Sequence, residues 1–214
     1  MSAANKLTIG IHFDLICPWC FIGKHQLAMA RGKYTQMFPA VAVETVWRPV
    51  QLLPDVPASG VPFAAFYERR LGSAEAVRRR QKQVVQAASS VGLDLDLSAI
   101  ERMPNTARAH RLLRRVAGLG ELSLYEALLD RLFAAYFQRG EDIGDEATLR
   151  MLAVDVGVPP DVVDSAQADA GNPATAAAVE GVPHFDFNGR LSLSGARDAA
   201  ILLMAMSKAV QVLP

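Results

Sequence analysis

At 214 residues the chain has room for one large domain, or for one domain carrying a big insertion. Hydrophobic residues make up 51% and charged residues 21%, a globular balance that excludes a disordered chain. Lys plus Arg equals Asp plus Glu at 22 each, so net charge offers no attraction for nucleic acid or an anionic membrane.

The chain starts MSAANKLTIGIHFD, without the apolar stretch of a secretory signal. The longest apolar run, Ala199 to Met206, is far short of the roughly 20 residues that a membrane span needs. A cytoplasmic protein with no membrane partner is therefore expected. Thiols are kept reduced there, so a CxxC points to catalysis or metal binding rather than a structural staple.

Leu7 to Phe13 alternates Leu7, Ile9, Ile11 and Phe13 on one face and predicts a strand. The motif CPWC (Cys17 to Cys20) follows, then a helical stretch from Pro18 to about Tyr34 and a second strand over Val41 to Val46. Pro49, Pro54, Pro57, Gly60 and Pro62 then mark a loop and a domain boundary. From about Phe63 to Ala170 the pattern is helical. Ser73 is expected to cap one helix, Asn105 or Thr106 to start another, Ser123 and Glu126 to form a capping box, and Asp145 to cap a fourth. The run Arg78-Arg79-Arg80-Gln81-Lys82 reads as a solvated helix face, because no aromatic residues interleave with it. Near the end, Asn188-Gly189 between two short alternating runs predicts a hairpin with a type I′ turn. A last helix spans about Asp198 to Val210. Strands near both ends with helices between them indicate one α/β domain interrupted by a helical insertion.

The two cysteines are the only ones in the chain. Cys17 follows a strand, and Pro18 is a favoured first helical residue. The Cys17 sulfur is then expected at a helix N-terminus, where unpaired N–H groups and the helix dipole favour the thiolate, the reactive form. Cys20 lies one turn on, within bonding reach, as thiol–disulfide exchange requires. A zinc site would need four ligands, and His12, His25, His110 and His184 show no second ligand pair at metal spacing, so no metal is expected. A structural disulfide closing so small a loop would add only about 2 kcal/mol. Redox use is the favoured reading.

Four stretches carry a resemblance that covers most of the chain: DLICPWCFIGK (Asp14 to Lys24), PNTARAHRL (Pro104 to Leu112), GVPHF (Gly181 to Phe185) and SGAR (Ser194 to Arg197). With these the sequence resembles the DsbA-like thioredoxin-fold oxidoreductases, in their FrnE-like branch. The resemblance implies an α/β thioredoxin fold with a large all-helical insertion between its halves: residues 1–50 plus 172–214 thioredoxin-like, and 51–171 inserted. It implies that Cys17 is an exposed nucleophile and Cys20 a buried resolving thiol, with Pro18 and Trp19 tuning redox potential. Pro183 matches a cis-proline, preceded by Val182, whose backbone can pair with an extended substrate. His184 follows, where the family usually has an apolar residue, and a rim position is expected. His110 suits a packed helix histidine. The resemblance instead implies that its helix faces the active site, where His110 or Asn105 contacts substrate or tunes Cys17. Trp19 is expected at an exposed rim, and Lys24 and His25 exposed beyond it.

The expected activity is disulfide reduction or isomerisation on a disulfide-bearing protein or a small-molecule thiol, with no bound cofactor and glutathione as a candidate co-substrate. The alternative is a glutathione-dependent isomerase or transferase of the 2-hydroxychromene-2-carboxylate isomerase or kappa type. Those relatives carry serine at the Cys17 position, and both cysteines are present here. A partner-binding or redox-sensing module is a third reading, with the apolar last helix as a candidate homodimer face.

Overall fold

The computed structural model describes residues 6–168 and 179–211. The first part of the chain forms β1 (Lys6–Phe13), α1 (Pro18–Met37), β2 (Ala42–Pro49), β3 (Val61–Pro62), α2 (Phe63–Leu71) and α3 (Ala74–Ser89). Then come β4 (Arg102–Met103), α4 (Ala107–Ala117), α5 (Leu122–Arg139), α6 (Glu146–Asp155) and α7 (Pro160–Ala168). The last part forms β5 (His184–Phe187), β6 (Leu191–Ser194) and α8 (Ala199–Gln211). Two compact units result, Met1–Val50 with Ala176–Pro214, and Gln51–Thr175. The boundary expected between residues 171 and 172 falls outside the described residues.

The first unit is built on a four-stranded sheet in the order β2-β1-β5-β6. β1 runs parallel to β2 and antiparallel to β5, and β5 pairs antiparallel with β6. One sheet face is apolar. Leu7, Ile9, Ile11, Phe185 and Phe187 pack there against Leu27, Ala30 and Tyr34 of α1 and Leu202, Ala205 and Met206 of α8. The Gln26 side chain of α1 accepts the Ala199 N–H at 2.7 Å, which fixes the start of α8 against α1. Period-2 alternation sends Ala42, Glu44, Val46, Arg48, Ser192 and Ser194 to the other face, where all six are exposed.

β2 runs three residues past the expected Val46, to Pro49. Arg48 and Pro49 pair with His12 and Phe13, and Val50 N–H donates to Phe13 C=O at 2.8 Å. Proline is tolerated because β2 is an edge strand and owes no N–H to a further neighbour.

The second unit is helical apart from the two-residue ladder of β3 and β4. Ser73 caps α3 by accepting the Ala76 N–H at 3.2 Å, and Asp145 caps α6 by accepting the Thr148 N–H at 2.8 Å. The Ser123–Glu126 capping box does not form. Tyr125 N–H donates to Glu121 C=O, so α5 begins two residues earlier and Ser123 lies inside its first turn. Leu128, Leu129, Leu132, Phe133 and Tyr136 form the buried face of α5. Arg78, Arg79 and Arg80 are exposed on α3, with Arg79 paired to Glu75 one turn back. Among the described residues, no helix is long and apolar enough to cross a membrane.

The β5–β6 turn has positive φ at both central residues, 56° at Asn188 and 68° at Gly189, as a type I′ turn requires. Asn188 also ties the hairpin down. Its side-chain oxygen accepts Thr8 N–H at 2.8 Å, and its own N–H donates to Thr8 C=O at 2.9 Å. Valine cannot make the side-chain bond and resists positive φ. Asn188→Val is expected to lower unfolding free energy by about 2 kcal/mol or more, read from urea denaturation.

Candidate active site

The site is assembled where β1 ends and α1 begins. Cys17 is the N-cap residue of α1, with extended backbone (φ −94°, ψ 106°) and Pro18 next. Its carbonyl accepts Cys20 N–H at 3.0 Å, and its own N–H donates to Asp14 C=O at 3.2 Å. The first turn of α1 carries no acidic side chain to oppose a thiolate. Asp14 itself is fully buried, and its carboxylate accepts Leu15 N–H at 2.7 Å.

The second half of the site arrives from the far end of the chain. The Val182–Pro183 peptide bond is cis. The Cys17 thiol lies 3.6 Å from the Val182 carbonyl oxygen and donates to it. Gly195 N–H donates to Pro183 C=O at 2.8 Å, and Arg197 Nε donates to Ser194 C=O at 2.8 Å, so SGAR fastens this loop from behind. Both cysteines are free thiols. Cys20 is 3% exposed. Burial pushes its thiol well above the ordinary value, and its side-chain hydrogen bond with Cys17 adds to the push.

Three expectations about exposure are corrected. Cys17 is only 7% exposed, because its sulfur is turned in against the Val182 carbonyl. Trp19 is half-buried rather than exposed. Lys24 and His25 are also half-buried: the Lys24 ammonium lies 5.9 Å from the centre of the Trp47 ring, and His25 meets Phe21 edge to face. His184 is half-buried at the rim, with Nδ1 2.9 Å from Ser194 Oγ.

Cys17, Pro18, Trp19, Cys20, Val182, Pro183 and His184 therefore come together in the first unit. Asn105 and His110 belong to the second. The Asn105 side chain is engaged within that unit: its oxygen accepts from Gln51 and from Ala107 N–H, and its nitrogen donates to Val56 C=O. It, rather than Thr106, supplies the side-chain cap of α4. His110 is fully buried on α4.

Two contributors were not singled out from the sequence. Gly23 sits on α1 opposite the proline. A Cβ there would lie 3.0 Å from Pro183 Cγ and 3.2 Å from Phe185 Cζ. Only a bare Cα lets helix and loop approach this closely. His12 lies on the exposed sheet face, its ring edge-on to His184 at 5.6 Å between centroids. Burial first, then the charge of Arg48 and the His184 ring, hold His12 below its ordinary value of 6.5, against a weaker pull from Asp186.

Residues 8–207 match the family described as DSBA-like thioredoxin domain. The chain belongs to that family. The matched stretch holds Cys17 and Cys20 as a CxxC pair of free thiols. The structure of the probable DsbA oxidoreductase SCO1869 from Streptomyces coelicolor superposes with TM-score 0.83 at 25% identity, covering 97% of this chain and 92% of that one. Cytosolic disulfide reductase DsbM from Pseudomonas aeruginosa, solved with GSH, gives TM-score 0.63 at 16% identity over 95% and 96% of the two chains, a likeness of fold. The uncharacterized protein YwbO of Bacillus subtilis is 23% identical over 150 residues, or 70% of this chain. The match spans 66% of YwbO, just under two thirds of its length.

Two outcomes follow from this geometry. Gly32, also on α1, has nothing within 4 Å of an added Cβ, so Gly32→Ala is expected to raise stability by about 0.5–1 kcal/mol. Gly23→Ala should show none of that gain, and Gly23→Val should cost about 1–3 kcal/mol by overpacking against Pro183; thermal melts of the three variants decide. For His12, a depressed value means that the unfolded chain takes up the proton first. Its contribution to stability is therefore unaffected above pH of about 6.5 and falls as pH drops below it. Wild type should lose more stability than His12→Gln between pH 7.5 and 5.5, measured by urea denaturation at both values.

Proposed function

We propose that the protein reduces or isomerises disulfides through a mixed-disulfide intermediate on Cys17. The Cys17 thiolate attacks one sulfur of a substrate disulfide. The S–S bond breaks, and the departing substrate sulfur leaves as a thiolate that takes a proton from solvent. Cys20 then gives up its proton and attacks the Cys17 sulfur. The second substrate thiol leaves, and Cys17–Cys20 ends as a disulfide, so two electrons have passed to the substrate. A thiol reductant such as glutathione returns the pair to the dithiol, and the proposed setting is the cytoplasm.

What supports this reading is one contact: the Cys17 sulfur against the Val182 carbonyl, with Cys20 buried behind it. A substrate strand that takes over the Val182 backbone is held with its sulfur beside Cys17. Burial keeps Cys20 protonated until the mixed disulfide forms, so the order of attack is set by environment rather than by sequence. The presence of a second thiol, Cys20, in the first turn after Cys17 favours this dithiol chemistry over the isomerase and transferase reading, whose relatives carry serine in place of Cys17.

The test is Cys20→Ser. Exposed to peptide disulfides, this variant should accumulate a mixed disulfide through Cys17, seen as a mass increase that dithiothreitol removes. Steady-state reduction should fall at least ~100-fold, because an external thiol replaces a neighbour of far higher effective concentration. An absence of any adduct on Cys17 would refute the reading.

A further inference from the structure

The exposed sheet face carries a row that the disulfide chemistry does not use. The strand registers align Arg48 of β2 with His12 of β1, His12 with His184 of β5, and His184 with Ser194 of β6. These four side chains form one line across all four strands, at the end of the sheet where β1 leads into the cysteine loop. The next row inward places Gly10 between Val46 and Asp186. With no side chain at Gly10, the Arg48 guanidinium folds flat over that position: a Cβ there would lie 3.1–3.3 Å from its Cζ and both terminal nitrogens. Arg48 thereby places its charge over β1, one strand spacing of about 4.8 Å from β5.

The hydrogen bonding of this row fixes its polarity. Arg48 Nη1 lies 3.4 Å from His12 Nε2. A guanidinium only donates, so His12 Nε2 accepts and the ring is the neutral Nδ1–H tautomer. A depressed His12 agrees with that. His184 is engaged with Ser194. Asp186, the nearest carboxylate of β5, accepts Gly189 N–H in the hairpin turn. Among the described residues, no carboxylate forms an ion pair with Arg48, and its side chain is exposed. The row thus presents an oriented cation that no carboxylate pairs with directly, with Asp186 on the neighbouring strand and most of its fork of donors unspent.

We infer that Arg48, positioned by His12 and Gly10, is a docking point for an acidic side chain near the reactive cysteine of a disulfide-bearing polypeptide. This inference rests on the proposed function, which places the substrate strand along Val182. Both edges of β5 are already paired at His184, so the substrate leaves the Val182 backbone before it and crosses the open face of the row, where a Glu or Asp within two to four residues of its cysteine would meet the guanidinium. Charge complementarity decides the occupant. A basic segment would meet Arg48 and two histidines, and a neutral one would leave the guanidinium without its carboxylate partner.

The experiment uses matched peptide disulfides with Glu, Gln or Lys three residues from the cysteine, and reads kcat/KM at low and high salt. In wild type the Glu peptide should be preferred over the Gln peptide by about tenfold at low salt, with most of the preference lost at high salt. Arg48→Gln should bring that ratio to about one, and Arg48→Glu should shift preference to the Lys peptide. A wild-type ratio near one, or a ratio untouched by Arg48→Gln, overturns the inference while leaving the oxidoreductase reading intact. If Arg48→Gln lowers kcat/KM for oxidised glutathione but leaves the peptide ratio unchanged, the polypeptide assignment is overturned. If none of the peptides exchanges, the Gln peptide included, the oxidoreductase reading fails and takes this inference with it.

Discussion

The antiparallel pairing of β1 with β5 is the constraint on which the site depends. The register Ile11 to Phe185 and His12 to His184 sets the residues that follow β1 beside those that precede β5. A slip of one residue would turn Phe185 and Phe187 out of the core and put His184 into it. The burial of both phenylalanines therefore fixes where Val182 meets Cys17. Asn188, bonded both ways to Thr8, pins the same register from its far end. The geometry of the reactive edge thus follows from core packing, with the Gly195–Pro183 hydrogen bond holding the loop that carries the Val182 carbonyl.

Close approach is the second requirement, and glycines supply it twice with different results. At Gly23 the missing side chain lets α1 press on Pro183, so the helix that carries the cysteines and the loop that faces them are in close contact. At Gly10 the missing side chain makes room on the opposite face for a guanidinium. The apolar face is closed by α1 and α8, and the polar face stays open to solvent. One side of the sheet supplies stability, and the other is available for recognition.

Much of this was legible in the sequence because the relevant signals are local. Alternation at Leu7 to Phe13, proline after Cys17 and Asn-Gly at 188–189 each act within a few residues, and each element formed there. The helix caps at Ser73 and Asp145 were legible for the same reason. What was not legible depends on partners distant in sequence. Pro49 reads as a loop residue until β2 is known to be an edge strand. Ser123 and Glu126 have the spacing of a capping box, but the first helical bond of α5 is made to Glu121, which no spacing rule indicates. The burial of Cys17 follows from Val182, 165 positions away. His12 and Arg48 could have been placed on one face only with the β1–β2 register in hand, since Arg48 lies beyond the strand end that the sequence indicates.

Thr8 and Asn188 are 180 positions apart, and the whole second unit is made between them. On the ribosome, β1 and β2 emerge early as a parallel pair whose inner edge has no neighbour. That edge is β1, a central strand with three aliphatic residues and Phe13 on its apolar side. It is closed only when residues 184–187 arrive, after nearly nine-tenths of the chain has been synthesised. Joining strands so distant is slow compared with forming the helices in between. The nascent chain therefore carries an unpaired apolar strand edge and two reduced cysteines beside it through most of its synthesis. The interval before β5 docks is when this protein is most exposed to mispairing, and the middle unit determines how long it lasts.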